Sequence, residues 1–281
     1  MSLLLRDSWS HMASPDNTEA VRELFGSDAD RYDARHYRSR YRTYIGDRQK
    51  LVTRILASFG LPAGARVVDI ACGPGHFLLA ARQAGLNVVG IDNSPDMLRT
   101  SGTRLGPGAQ LARGDATSLP FESGTFDLLN CSGLIEYIPE PGGMLREFRR
   151  ILKPGGRAMV SSTNRIAPAL ALLPVMDALK RSTTVRRVIR ALRLPVDEAS
   201  LRDRGFDFTF HTPGKLTALM AEAGFQDLAM HYCHLQLLPH PFDHIMPAVT
   251  TACVNLTDWL LGVRPFGALA EGLLAVGQRP D

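Results

Sequence analysis

A glycine-rich turn between a short apolar strand and a helix is the feature that most limits how this chain can fold. Residues Arg66 to Ala71 form an apolar, β-branched run, and the turn that follows contains Gly73 and Gly75. Glycine allows the backbone conformations that a tight strand-to-helix turn requires. The residues from Gly75 to Ala84 then form a pattern typical of a helix. A strand, a turn and a helix in this order predict one unit of a parallel α/β sheet.

The alternation continues along the chain. Ser94 and Pro95 are typical of an N-cap and a first helical residue, so they predict a helix start. Further strands are predicted at 87–91, 109–113, 125–131, 157–162, 226–237 and 272–278, with helices at 95–100, 141–152 and 212–223. The prediction is an α/β fold: a Rossmann-like, seven-stranded, mostly parallel sheet with helices on both faces. Ligands of such sheets bind at the carboxyl ends of the strands.

Two insertions interrupt this alternation, and they define the predicted organisation. In the second insertion one helical face carries apolar residues: Ile245, Val249, Ala252, Leu256 and Trp259. The predicted segments are an N-terminal helical cap or tail at 1–40, a Rossmann-like core at 41–165, a helical lid insertion at 166–205, and the rest of the core at 206–281 with a second helical insertion at 239–268. Residues 10–14 resemble a cloning scar, and residues 1–14 receive no functional weight.

Composition excludes several classes of protein. The formal net charge of the 281 residues is only +4, and no basic stripe with interleaved aromatic residues indicates a nucleic-acid partner. The start of the chain does not resemble a secretory signal. The four cysteines are too scattered for a zinc or iron–sulfur site: Cys72, Cys131, Cys233 and Cys253. We therefore expect no metal, reduced thiols and a cytoplasmic location.

The turn also limits the ligand. Two glycines let a ligand approach the backbone, and the helix start beyond them offers free N–H groups to an anion. Asp92 follows the second strand, where a carboxylate can bind a ribose diol. A nicotinamide dinucleotide site would need a third glycine, but Leu78 occupies that position, and Asp69 precedes the turn. A dinucleotide is therefore disfavoured.

Five motifs in order resemble the class I S-adenosylmethionine-dependent methyltransferases of the small-molecule type, from about Tyr32 to the last strand. They are Val67–Gly75, in which Ala71 replaces the usual first glycine, Gly90–Ser94, the adenine-side loop from Gly114, the fourth strand that begins near Asp127, and Leu152–Gly156. The resemblance implies S-adenosyl-L-methionine as cofactor and S-adenosyl-L-homocysteine as product.

The resemblance also implies roles for individual residues. Asp69 and the backbone of Gly73 and Gly75 would hold the methionine moiety, and Asp92 would bind the ribose hydroxyls. The adenine ring would face Asp115 and Ala116, and Tyr32 would close over the cofactor, although Tyr37, Tyr41 and Tyr44 are alternatives. The remaining residues expected at the cofactor site are Ala71, Asn93, Met97, Cys131 and Ser132.

Methyl transfer from a sulfonium requires alignment and a dry site, and a hydroxyl acceptor gains from a general base. Candidate catalytic residues are His211, Glu136 and Tyr137, with His240 and His244 as weaker alternatives. The loop after the fourth strand resembles that of quinone-pathway O-methyltransferases but keeps only Glu136 of their possible metal ligands. A metal-assisted catechol reaction is therefore not expected.

The insertions point to the acceptor. Both are apolar, so we expect a lid over the strand ends and a lipophilic acceptor, with O-methylation in secondary or lipid metabolism. In residues 183–194 arginines oppose an apolar face, which is typical of a solvated lid helix or of peripheral contact with a membrane surface. C- or N-methylation by the same fold and cofactor binding without transfer are the alternatives. The oligomeric state is left open.

Overall fold

A computed structural model describes residues 29–39, 41–171, 182, 187, 209–236, 247–263 and 266–281. The helices are α1 Ala29–His36, α2 Tyr44–Ser58, α3 His76–Gln83, α4 Pro95–Leu105, α5 Pro141–Ile151, α6 Pro168–Ala171, α7 Pro213–Glu222 and α8 Pro247–Thr257. The strands are β1 Arg66–Ile70, β2 Asn87–Asp92, β3 Gln110–Arg113, β4 Phe126–Ser132, β5 Leu152–Thr163, β6 Gln226–Cys233 and β7 Gly272–Gln278. Short 3₁₀ helices span Ile135–Tyr137, Asp258–Gly262 and Phe266–Leu269.

The seven strands form one sheet in the order β3-β2-β1-β4-β5-β7-β6. β7 runs antiparallel to both of its neighbours, and the other strand pairs are parallel. The predicted seven-stranded, mostly parallel α/β fold is therefore confirmed. The carboxyl ends of β1, β2, β4, β5 and β6 lie at one edge, which we call the carboxyl edge.

Two apolar clusters cover the two faces of the sheet. On one face Phe148 of α5 and Leu216 of α7 pack with Leu129 and Val160. On the other face Leu51 of α2 and Phe77 of α3 pack with Leu128. Strands that are buried on both faces explain the continuous apolar runs in the sequence.

Three element boundaries differ from the sequence prediction. The helix that begins at Pro95 continues past Thr100 to Leu105, because Leu105 is buried and the stop is Gly106, with φ 73°. β5 begins at Leu152, which pairs with Phe126, so the predicted turn at 153–156 lies inside an irregular strand start. β6 ends at Cys233 and does not reach residue 237, because His234 has a left-handed backbone with φ 59°.

Candidate functional site

The turn after β1 leaves open space for a ligand. Ala71, Gly73 and Gly75 all have a positive φ, at 56°, 51° and 81°. A Cβ at Gly75 would collide with Ser101 of α4, whereas a Cβ at Gly73 would meet no atom within 4 Å. Gly75 is therefore needed for packing and Gly73 faces free space, while Ala71 keeps the left-handed geometry of the glycine it replaces at some cost in strain.

Asp92 connects the end of β2 to this turn. Its Oδ2 accepts a hydrogen bond from the Gly73 N–H at 2.8 Å, and its Oδ1 accepts one from the Ser94 N–H at 2.9 Å. Burial raises the pKa of Asp92, and these backbone donors oppose that shift. Each oxygen keeps a lone pair, so the carboxylate can accept hydrogen bonds from two hydroxyl groups.

Asp69 lies near Asp92 and is buried, whereas Asp92 is half-buried. Oδ1 of Asp69 accepts a hydrogen bond of 2.7 Å from Nδ2 of Asn130, and the Ser132 hydroxyl donates to Oδ1 of Asn130. Burial raises the pKa of Asp69 to about 8, which leaves this carboxyl largely protonated near neutral pH until a cation approaches. Sequence analysis missed Asn130, which is visible only once β1 and β4 are paired in register.

Helix α1 is held against the turn by a charged network. Asp33 is 1% exposed, and its carboxylate contacts His76 at the start of α3, Arg104 of α4 and Arg38. The ring of Tyr37 stacks on His76 with centroids 3.9 Å apart. These contacts fix α1 above the carboxyl edge.

Tyr32 of α1 faces the same region. Burial raises its pKa, and the charges that act on its hydroxyl are those of Arg48, Glu136 and Asp92. The Tyr32 hydroxyl is therefore within electrostatic reach of Asp92 at the end of β2 and of Glu136 in the loop after β4.

Arg48 of α2 is a candidate that sequence analysis missed. It is 7% exposed, lies over the Tyr44 ring at 5.3 Å, and approaches Gly133 so closely that a Cβ there would collide with its guanidinium. Burial lowers the pKa of Arg48, but the charges of neighbouring groups raise it by more, so the guanidinium stays charged. These neighbours are Tyr44, Tyr37, Tyr32 and Glu136. No local motif marks this arginine, because only the packing of α2 brings it to the end of β4.

The expected adenine side is formed by residues after β2 and β3. Asp115 Oδ1 accepts hydrogen bonds from the Thr117 N–H and hydroxyl, each at 2.8 Å, so this side chain closes a turn. Ala116 and Met97 are buried, and Asn93 Oδ1 accepts from Arg113 Nε. These residues form a wall beside Asp92.

The candidate acid–base residues meet at the ends of β4 and β5. Cys131 is fully buried, and Tyr137 ends the 3₁₀ turn that follows β4. Glu136 is buried, and its Oε1 accepts hydrogen bonds from the N–H and the hydroxyl of Thr163, at 2.6 and 2.7 Å. This carboxylate therefore ties β5 to the loop after β4.

His211 lies next to this junction. Its N–H donates to the Thr163 carbonyl, and its Nδ1 lies 3.0 Å from the Ser162 hydroxyl. Within the part of the chain that the structure describes, its Nε2 has no hydrogen-bond partner. Burial and the nearby Lys215 lower the pKa of His211, so the ring is neutral at physiological pH.

The described part of the second insertion also lies at the carboxyl edge. Thr257 of α8 donates to the Leu235 carbonyl just beyond β6, and Arg42 contacts both Thr251 and Asp258. The buried face of α8 is Thr250, Val254 and Thr257. The predicted apolar face therefore points outward: Val249, Ala252, Leu256 and Trp259 are exposed.

Several predictions fall on residues that the structure does not describe. Of the first insertion the structure describes only residues 166–171, 182 and 187. Arg187 is exposed, and the rest of the predicted basic helix at 183–194 lies outside the described residues. His240, His244 and Ile245 lie outside as well. Among the described residues no group of three metal-ligating side chains converges, and no helix is long and apolar enough to cross a membrane.

A family model described as a methyltransferase domain matches residues 68–160, which include the turn, Asp69, Asp92, the end of β4 and most of β5. Residues 68–160 therefore carry the domain of S-adenosylmethionine-dependent methyltransferases. The cofactor of this family is S-adenosyl-L-methionine, and S-adenosyl-L-homocysteine is the product.

Named relatives agree with this assignment. The methyltransferase is 32% identical over 121 residues to a ubiquinone biosynthesis O-methyltransferase of Xanthomonas axonopodis, a match that covers 41% of this chain and about half (49%) of that protein. It is 28% identical over 218 residues to a demethylmenaquinone methyltransferase of Staphylococcus aureus, covering 74% of this chain and 86% of that one.

A solved structure of similar fold is the magnesium protoporphyrin IX methyltransferase of Synechocystis with bound S-adenosyl-L-homocysteine. The TM-score is 0.59 at 16% identity, and the match covers 93% of this chain and 99% of the other. At this identity the likeness supports the fold.

Proposed function

We propose that this methyltransferase transfers a methyl group to a hydroxyl group of a lipophilic small molecule. The observation that carries the proposal is His211, a buried and neutral imidazole at the carboxyl edge whose Nε2 has no partner among the described residues. A hydroxyl acceptor must lose a proton as its oxygen is methylated, and an available imidazole nitrogen can take it.

The residues at the carboxyl edge fit the cofactor. The space above Gly73 admits a ligand, and the buried carboxyl of Asp69 and the half-buried carboxyl of Asp92 suit an ammonium group and a ribose diol. Arg48 offers a buried positive charge to a carboxylate. When bound, S-adenosyl-L-methionine supplies an electrophilic methyl group on a sulfonium and leaves as S-adenosyl-L-homocysteine.

We assign the other predicted residues to the walls of this site. Asp115 and Ala116 would border the adenine with Asn93 and Met97, and Tyr32 would cover the cofactor from α1. Ala71 and Gly75 would shape the turn, and Cys131 and Ser132 would lie beneath the reacting groups at the end of β4.

His211 Nε2 would accept the proton of the acceptor hydroxyl while the oxygen gains the methyl group, and the imidazolium would then return that proton to water. Glu136 is engaged by Thr163 and would fix the loop that carries Tyr137. Tyr137 would line the acceptor space. A general base of this kind contributes about 10²–10⁴-fold to the rate.

Two observations support a lipophilic acceptor. Five of the six large, exposed apolar side chains among the described residues lie between residues 249 and 266, in the second insertion: Val249, Leu256, Trp259, Val263 and Phe266. Exposed apolar groups concentrated in one segment mark sites of interaction. One relative is named a ubiquinone biosynthesis O-methyltransferase and another a demethylmenaquinone methyltransferase, and ubiquinone and menaquinone are both lipophilic, which supports an acceptor of that kind.

The proposal is tested with two acceptor probes, an alkyl catechol and a 2-alkyl-1,4-naphthohydroquinone, and isotopically labelled cofactor. We expect an O-methyl ether, and we expect His211→Asn to lower kcat about 10²–10⁴-fold with unchanged cofactor affinity. Lys215→Ala, which removes a nearby charge but no base, is the control. A carbon-methylated product would replace the O-methyl assignment, and the absence of turnover with either probe, despite tight cofactor binding, would favour a binding protein.

Other expectations from the sequence remain predictions. They are a cytoplasmic location, the absence of a nucleic-acid partner, a role in secondary or lipid metabolism, and peripheral membrane contact through 183–194. The predicted segment boundaries also remain predictions.

A further inference from the structure

Ser162, near the end of β5, is the hydrogen-bond partner of the His211 ring, and no sequence motif marks it. We propose that Ser162 is a positioning residue that holds His211 in the tautomer with the proton on Nδ1, so that Nε2 presents its lone pair. This inference rests on the proposed function, because it concerns the residue assigned there as the base.

The direction of the hydrogen bonds follows from counting protons. A serine hydroxyl has one proton to donate and two lone pairs that accept. The Thr163 carbonyl, 3.3 Å from the Ser162 hydroxyl, can only accept, so both contacts of this hydroxyl are hydrogen bonds only when Ser162 donates to that carbonyl and accepts from His211 Nδ1, 3.0 Å away. If the serine oxygen accepts a hydrogen bond from Nδ1, the proton of the neutral imidazole is on Nδ1. The free lone pair is then on Nε2.

The backbone around the pair keeps this arrangement rigid. Asn164 and His211 form an isolated parallel bridge, in which the His211 N–H donates to the Thr163 carbonyl and the Arg165 N–H donates to the His211 carbonyl. Ser162 is fully buried and His211 is 2% exposed. Water therefore has little access to Nδ1 and cannot replace the serine.

The charged groups near the ring do not fix a tautomer in place of Ser162. Lys215 lies one turn into α7 and acts on His211 through its charge. Glu136 is bound to Thr163, and Arg165 contacts the His211 backbone through its own N–H. Of the side chains that the structure describes, only that of Ser162 bonds to the ring.

The test compares two adjacent serines. Ser161 is as buried as Ser162, but its hydroxyl has no partner among the described residues, so Ser161→Ala is a matched control for Ser162→Ala. Long-range ¹H–¹⁵N correlation spectra of the full chain with labelled histidine report the tautomer directly, with His211→Asn to assign the signal. Turnover of the naphthohydroquinone or catechol probe across pH gives the functional readout.

We expect the wild type and Ser161→Ala to show the Nδ1–H tautomer. Ser162→Ala should shift the ring towards Nε2–H and lower kcat roughly 10-fold, with KM and cofactor affinity unchanged. An Nε2–H tautomer in the wild type would overturn the inference even if Ser162→Ala failed to fold. Full activity of Ser162→Ala with an inactive His211→Asn would overturn it while the base assignment stood. An active His211→Asn would instead remove the proposed base.

Discussion

The two halves of the sheet contain functional residues of different kinds. In the cofactor half, from β1 to β4, the carboxylates lie at strand ends that local motifs mark, and Asp92 is held by the N–H groups of Gly73 and Ser94, although Asn130 reaches Asp69 from 61 residues away. In the acceptor half, from β5 to β7 with its insertions, each contact joins distant parts of the chain. Ser162 meets His211 49 residues away, and Asp47 meets His234 187 residues away.

The difference explains where the family resemblance ends. The matched family model covers residues 68–160, which contain nearly the whole cofactor half and reach into β5 but include neither β6 nor β7. A shared cofactor requires a shared turn and shared carboxylates at strand ends, whereas acceptors differ between relatives. We infer that specificity is determined in the half that local motifs do not describe.

The largest expected effect is on the stability of the acceptor half. Asp47 and His234 form a buried pair at 2.8 Å, with Arg42 on the carboxylate and Gln236 on the other ring nitrogen. Asp47→Asn removes one partner of this buried pair and should lower the free energy of unfolding by about 3–5 kcal/mol. Chemical denaturation measures this value. Lys50→Ala removes an exposed partner of the same carboxylate and should change it by less than about 0.5 kcal/mol.

The same pair gives a pH dependence with a defined sign. Hydrogen bonds from His234 and Arg42 outweigh burial and lower the pKa of Asp47 to about 2, so its contribution is present above 3.8 and lost as pH falls towards 2. The pKa of His234 is raised above 6.5 because Asp47 and Glu271 outweigh its burial. Its contribution is therefore present below 6.5 and lost as pH rises through the folded value. An Asp47→Asn effect that stayed constant from pH 2 to 9 would contradict this account.

The second effect concerns the cofactor half. Asp92→Ala removes the carboxylate that we assign to the ribose and should weaken binding of S-adenosyl-L-homocysteine roughly 100-fold, since hydrogen bonds to a charged group contribute about 1.5–3 kcal/mol each. Calorimetry measures the dissociation constant. Asp96→Ala, an exposed carboxylate at the start of α4, is the control. Equal affinity in the wild type and Asp92→Ala would remove the ribose assignment.

A third prediction separates the buried face of α8 from the exposed side of the 3₁₀ helix that follows it. Val254 is fully buried, so Val254→Ala should lower the free energy of unfolding by about 1.5 kcal/mol or more, at ~0.8 kcal/mol per buried CH₂. Trp259 is 66% exposed, and Trp259→Ser should leave stability within about 0.5 kcal/mol. A larger loss for the tryptophan variant in thermal or chemical unfolding would mean that the outward face is covered in the folded chain.

The smallest expected effect is that of a chelator. The described residues contain no convergent group of three metal-ligating side chains, and the proposed transfer needs none. Turnover of the catechol probe should therefore be the same with and without EDTA. Loss of activity that magnesium restores would show that the acceptor half assembles a metal site, and the base assigned to His211 would then need revision.

The sequence by itself determined the parallel α/β fold and the cofactor half. The turn at Gly73 and Gly75 and the carboxylates after β1 and β2 are local signals, because a strand, its turn and the helix after it are adjacent in the chain. The helix cap at Ser94 and Pro95 is equally local, and the structure contains it as predicted.

Only the tertiary structure decided which distant side chains meet. Asn130 reaches Asp69 through strand register, Arg48 reaches Gly133 through the packing of α2, and Ser162 reaches His211 through the bridge beyond β5. The apolar periodicity predicted the helix α8 correctly, but it did not identify which face of that helix is buried. Thr257 faces inward because its hydroxyl bonds the Leu235 carbonyl, and apolar spacing alone does not contain that contact.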